Sequence, residues 1–116
     1  MSIVFKIDVR PHAAIYSVSG KMTAEDATAD MLLSITGQLE KNTSNILLDV
    51  SGLEYITSSG LNFFIRALTR TRNAGGELII CGLHGTVEKL FIISKLNEIF
   101  TICPDVATGL AKINAQ

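Results

Sequence analysis

The sequence predicts an α/β fold: a mixed, mostly parallel sheet that opens on an antiparallel hairpin and carries about four helices. Three observations lead there. Residues 3–10 alternate apolar and polar side chains, the period of a strand with one wet face. Two short apolar runs, Ile46-Leu47-Leu48-Asp49-Val50 and Leu78-Ile79-Ile80-Cys81, lie between turn residues, as strands buried on both faces of a parallel sheet do. The stretches between these runs repeat their apolar residues at the helical period.

In the first strand Ile3, Phe5, Ile7 and Val9 share one face, and Val4, Lys6, Asp8 and Arg10 share the other. Arg10-Pro11-His12 is a turn that leaves His12 solvated, and the run carrying Ile15, Tyr16 and Val18 returns antiparallel as far as Gly20. Thr23-Ala24-Glu25-Asp26 resembles a capping box opening a first helix, whose apolar side is Ala24, Ala27, Met31, Ile35 and Leu39 with Thr28 and Leu32 beside them. Gly37 weakens its last turns by roughly 1 kcal/mol relative to Ala, and Lys41-Asn42-Thr43-Ser44-Asn45 ends it.

The central strand covers residues 46–50, and residues 51–56 read as a connection with apolar anchors of their own. Leu61, Phe64, Ile65 and Leu68 then recur at i, i+3, i+4 and i+7, so a second helix starts near Ser58 or Ser59 and stops at Asn73-Ala74-Gly75-Gly76. After the strand at Leu78-Ile79-Ile80-Cys81, Thr86 can cap a short third helix with Val87, Leu90, Phe91 and Ser94 on one side. Ile99-Phe100-Thr101-Ile102 makes the last strand. Pro104 sits where a first helical residue tolerates it, and Val106, Leu110 and Ile113 give the final helix its apolar side.

With 116 residues the chain has room for one core and one domain, residues 1–116. The formal net charge is −1 and the 18% charged residues are mixed in sign, which leaves no basic stripe for nucleic acid. No apolar run reaches the roughly 18 residues of a spanning helix, and the N-terminus is no signal peptide, so the expectation is a cytoplasmic protein without membrane insertion. Cys81 and Cys103 lie in apolar segments without ligand spacing and read as buried structural thiols.

Polar chemistry concentrates in Thr57-Ser58-Ser59-Gly60, three hydroxyls where the second helix begins. Such hydroxyls cap a helix or accept a phosphate. One suffices for a cap, and Gly60 leaves the helix start open to a close approach. His84 belongs to the loop after the next strand, on the same carboxyl edge of the sheet, so a Ser58/His84 serine hydrolase is one candidate reading. It lacks a G-x-S-x-G turn and a group to orient the base, and a solvated loop histidine is the plainer reading. Nucleotide-binding glycine motifs are absent, and neither His12 nor His84 has a partner at metal-ligand spacing, so no cofactor or metal is expected. Phe63 lies about 100° from Phe64 around the helix, off the stripe, where an exposed aromatic beside Asn62 and Arg66 could anchor a partner.

Taken together, Leu48-Asp49-Val50-Ser51-Gly52-Leu53-Glu54-Tyr55-Ile56-Thr57-Ser58-Ser59-Gly60-Leu61, the later Ala74-Gly75-Gly76-Glu77-Leu78 and Val87-Glu88-Lys89-Leu90-Phe91 resemble the STAS-domain anti-sigma factor antagonists, over nearly the whole chain. The resemblance implies a regulatory binding module with no catalysis of its own. It implies that Ser58 is phosphorylated by a partner-switch serine kinase that is itself the anti-sigma factor. The unphosphorylated form then binds that kinase and releases its client, and a PP2C-type serine phosphatase restores it. The partner surface implied is Thr57, Ser58, Ser59, Gly60, Asn62, Phe63 and Arg66. Family members often carry Asp where this chain has Thr57, an acid near Lys21-Met22-Thr23, and a glycine where it has Asn62. The alternative within the fold is a STAS subunit regulating a transporter or signalling scaffold without phosphorylation.

Overall fold

The computed structural model describes residues 3–22, 26–41 and 45–114. Its elements run β1 (Ile3–Arg10), β2 (Ala13–Met22), α1 (Asp26–Glu40), β3 (Asn45–Ile56), α2 (Ser58–Asn73), β4 (Leu78–Cys81), α3 (Gly85–Ile93), a single 3-10 turn at Leu96–Glu98, β5 (Thr101–Cys103) and α4 (Val106–Asn114). The strands form one sheet in the order β1-β2-β3-β4-β5, antiparallel between β1 and β2 and parallel thereafter. This is the predicted mixed sheet with four helices. The capping box expected at Thr23-Ala24-Glu25 lies outside the described residues.

Strand alternation sends side chains to two cores. On one face Tyr16, Val18, Ile46, Leu48, Val50 and Ile80 pack with Met31, Leu32 and Ile35 of α1, Leu61 and Phe64 of α2 and Phe91 of α3. On the other, Ala13, Ile15, Leu47, Ile79, Cys81 and Cys103 meet Ile113 of α4, with Val106 and Leu110 at the margin. The two apolar runs are therefore buried on both faces, as expected. Both cysteines are free and buried, and burial, with smaller contributions from Cys103, Asp49 and Asp105, pushes the Cys81 thiol up to about 12.

Some boundaries move. The third helix is entered through His84, and Thr86 instead directs its hydroxyl to the Glu54 carbonyl at 3.4 Å. The last strand begins at Thr101, because residues 96–98 are coiled into the 3-10 turn. Pro104 precedes the final helix, whose first turn is held by Asp105 Oδ1 accepting from the Thr108 amide at 2.8 Å.

The largest difference concerns residues 51–56, which continue β3 as strand. Ser19 to Met22 of β2 pair with Gly52, Leu53, Tyr55 and Ile56, and the register shifts twice, between Ser17 and Ser19 and between Gly20 and Lys21. At each shift β3 has one residue more than β2, a bulge that bends the strand and re-aims its side chains. Burial there falls on Val50, Leu53 and Ile56, every third residue instead of every second. That spacing hides the strand from a search for alternation.

Candidate functional site

The bulged end of β3 delivers the chain to the start of α2, and the residues around it explain one another. Asp49 Oδ1 accepts from the Ser51 amide at 3.1 Å, which holds the first bulge. Gly52 has no side chain because β2 passes too close: a Cβ there would lie 2.9 Å from Ser19 Cβ and 3.3 Å from the Val18 carbonyl. Gly82, at φ 75°, lies equally near, and its Cβ would meet Ser51 Cβ at 2.9 Å. His84 Nε2 stands 2.8 Å from the Ser51 carbonyl, and since a carbonyl only accepts, this nitrogen carries the proton in that bond. The imidazole thus ties the β4–α3 loop to the bulge. The structure brings His84 to Ser51, not to Ser58, so the hydrolase pairing considered from the sequence is not formed.

At the strand end Ile56 is buried and the Thr57 amide donates to the Met22 carbonyl at 3.0 Å. Thr57 has extended backbone, φ −94° and ψ 167°, and its Oγ1 accepts from the Gly60 amide at 3.1 Å while its carbonyl accepts from Leu61 at 3.2 Å. Thr57 is the N-cap. The capping reading of the hydroxyl cluster therefore falls on Thr57. Thr57→Ala should lower stability by ~1 kcal/mol and Thr57→Ser by much less, read from denaturant melts.

Ser58 is the first helical residue and is exposed; Ser59 follows at the second position. No acidic residue lies in the first turn of α2, so side-chain carboxylates leave the positive end of its dipole uncompensated there. Gly60 departs from expectation. It is buried, and a Cβ on it would come 3.0 Å from Ile56 Cγ1, 3.0 Å from the Met22 carbonyl and 3.1 Å from Met22 Cγ. Its missing side chain admits the protein's own β2, not a ligand. A carbonyl cannot rotate away, so Gly60→Ala should cost about 1–3 kcal/mol by overpacking, visible as a lower thermal midpoint.

Around α2, Leu61, Phe63, Phe64, Ala67, Leu68 and Thr71 are buried, whereas Ser58, Asn62, Ile65, Arg66 and Thr69 are exposed. Two assignments are corrected. Phe63 is only 4% exposed and packs edge-on against Phe64 with centroids 5.2 Å apart, so it is no exposed anchor. Ile65, placed on the apolar stripe by its spacing, is 44% exposed and lies beside Asn62 and Arg66. The buried arc is rotated because Ala67 and Thr71 belong to it. Thr71 conceals its polarity by donating its hydroxyl to the Ala67 carbonyl at 2.8 Å. Among the described residues no group of three His, Cys, Asp or Glu side chains is placed to hold a metal ion.

A scan against family models matches the STAS domain over residues 5–109. The chain belongs to the STAS domain family. The resemblance read from the core motif is thereby borne out. This STAS domain is 31% identical over 97 residues to BtrV of Bordetella bronchiseptica, which is named an anti-sigma factor antagonist; the match covers 84% of this chain and 80% of the relative. Among solved structures it resembles an anti-sigma factor antagonist from Thermotoga maritima, with TM-score 0.84 and 18% identity over 95% of this chain and 94% of that one. It also resembles the Bacillus cell fate determinant SpoIIAA in its phosphorylated form, with TM-score 0.75 and 15% identity over 95% and 99% of the two chains. At these identities the two structures speak for the fold alone. In this STAS domain the family's core motif is largely architecture: Asp49, Ser51, Gly52, Thr57 and Gly60 hold bulge, crossing and cap.

Proposed function

We propose that this STAS domain is an anti-sigma factor antagonist, without catalysis of its own, controlled by phosphorylation on Ser58. The observation that carries this reading is the division of labour at the start of α2. Thr57 Oγ1 caps the helix, and Ser58, one residue on, is exposed. A kinase can take the Ser58 hydroxyl without uncapping α2. The likeness to BtrV supports the class of function, and the residue Ser58 rests on the match to the family's core motif.

In this reading the unmodified protein binds a serine-kinase anti-sigma factor in the cytoplasm, so that the client of that factor is released. The contact surface is Thr57, Ser58, Ser59, Asn62 and Arg66, with Ile65 supplying the apolar area first assigned to Phe63 and with Gly60 acting from below by setting the helix against β2. Transfer of the γ-phosphoryl group of ATP to Ser58 Oγ adds about −1.5 to −2 charges. A PP2C-type serine phosphatase removes them. Where the family resemblance leads one to expect a carboxylate, the neutral Thr57 performs the cap, and it adds no negative charge beside the incoming phosphate.

The test is incubation with ATP and the anti-sigma kinase that is encoded beside it or co-purifies with it, followed by intact mass and site mapping. The expected result is one phosphoryl group, on Ser58, absent from Ser58→Ala. A stable complex that forms without phosphate would move the reading to a STAS scaffold or transporter subunit, and acylation of Ser58 by a serine-reactive ester would move it to a hydrolase.

A further inference from the structure

We propose that the outer edge of β1 pairs with β1 of a second copy of this chain, antiparallel, about a two-fold axis through Ile7. β1 lies at the end of the sheet, and among the described residues no strand covers its outer side. Only Pro11 and His12 separate β1 from β2, with Arg10 opposite Ala13. A two-residue hairpin connection makes its flanking pair a hydrogen-bonded one. Arg10, Asp8, Lys6 and Val4 then turn their backbone groups toward β2, and Val9, Ile7, Phe5 and Ile3 turn theirs outward.

A second β1 can bond to this edge only with these outward residues facing one another, which leaves a small set of registers. Centring on Lys6 sets that lysine against its own copy. Centring on Asp8 sets Asp8 against Asp8 and Lys6 against Arg10. Centring on Phe5 or Val9 leaves much of the strand unpaired. Centring on Ile7 pairs residues 4–10, sets Lys6 opposite Asp8 twice, and places Phe5 opposite Val9 twice with Ile7 against Ile7. Opposite charges directly across a strand pair stabilise it and like charges destabilise it, so the charge pattern selects this register.

Burial points the same way. Ile7 is 41% and Val9 55% exposed on the face they share with Phe5, whose ring lies 6.0 Å from that of Tyr16. Pairing about Ile7 covers both. On the other face Asp8 already holds Arg10 at 2.9 Å, and the copy's Lys6 would approach the same carboxylate from across the seam. Charges on an edge strand ordinarily guard against pairing. Here the guard has mixed sign, so it rejects the slipped registers and matches one. The surface uses no residue of α2, so the association is independent of the Ser58 reading.

Sedimentation velocity of the full chain over a range of concentrations tests this, with Lys6→Asp, Asp8→Lys and the double exchange alongside, each checked for fold by circular dichroism. The expected result is a 12.5 kDa species that gives way to one of twice that mass as concentration rises. Each single exchange should weaken association by about tenfold, and the double exchange should restore it. A chain that stays monomeric throughout overturns the proposal. So does a dimer indifferent to the single exchanges, or one that the double exchange fails to restore.

Discussion

Phe63→Ala will cost the fold about 3 kcal/mol or more, and its effect on a partner will be secondary to that loss. The side chain is 4% exposed and meets Phe64 edge-on at 5.2 Å; Phe64 in turn meets Phe91 at 5.2 Å and Phe100 at 6.5 Å. Truncating a buried phenylalanine removes its transfer free energy and leaves a cavity, typically 3–5 kcal/mol together. Beside a total stability of roughly 5–15 kcal/mol, that is a large share. Urea melts should show a lower midpoint with unchanged slope, and thermal melts a fall of roughly 10 °C or more. An exposed anchor would behave in the opposite way, with an unchanged melt and a weakened complex. The contrasting variant is Ile65→Ala: at 44% exposure it should leave the melt within about 0.5 kcal/mol and act on partner affinity instead.

The difference between these two residues shows where the sequence was legible. Strong, uninterrupted patterns carried through: the alternating first strand, the doubly buried runs at residues 46–50 and 78–81, and the order of the elements. What failed were patterns that polar or small residues disguise. On α2 the apolar residues Leu61, Phe64, Ile65 and Leu68 describe a stripe centred too far to one side, because Ala67 is too small to register strongly and Thr71 looks like a surface residue. Once Thr71 is seen to satisfy its hydroxyl on the Ala67 carbonyl, the buried arc shifts, taking in Phe63 and releasing Ile65. Similarly, two bulges turn the period of residues 51–56 from two into three, so a strand resembled a loop. In both places the missing information was a bond between a side chain and the backbone, Thr71 on the Ala67 carbonyl and Asp49 on the Ser51 amide at the first bulge, which no residue type announces.

The candidate site was legible in a different sense. Its position followed from composition, since three hydroxyls and a glycine at a strand-to-helix junction stand out in any chain. Its division of roles did not. Thr57, Ser58 and Ser59 are interchangeable as caps on paper, and only the extended backbone at Thr57 and its 3.1 Å bond from the Gly60 amide separate the cap from its neighbour. Gly60 likewise read as an opening, because a glycine at a helix start serves equally for a visiting ligand and for a neighbouring strand. The Met22 carbonyl 3.0 Å from its absent Cβ decides for the strand.

Ser58→Asp should leave the fold intact and abolish most partner binding, with an affinity loss of roughly a hundredfold, about 3 kcal/mol. Two effects of one charge oppose each other, and their magnitudes decide the outcome. Within the monomer the carboxylate occupies the first position of α2, where the first turn carries no acid, so the helix dipole favours it by ~0.3–1 kcal/mol, less at high salt. The melt should stay level or rise slightly. At the proposed interface over Ser58 the same charge would lose water, and a buried charge left unpaired costs several kcal/mol. The second effect is the larger, so the switch proposed for Ser58 would work through binding and not through unfolding. Phosphoserine, with nearly twice the charge, should act in the same direction and more strongly. Ser58→Ala removes the acceptor hydroxyl while adding no charge, and should bind like the unmodified protein yet resist the kinase. Calorimetric titration of the unmodified protein and both variants into the kinase, with thermal melts of each, checks the sign of both effects. Equal affinity of the unmodified protein and the Ser58→Asp variant would remove the switch from this residue, and an unfolded Ser58→Asp would mean that Thr57 does not carry the cap alone.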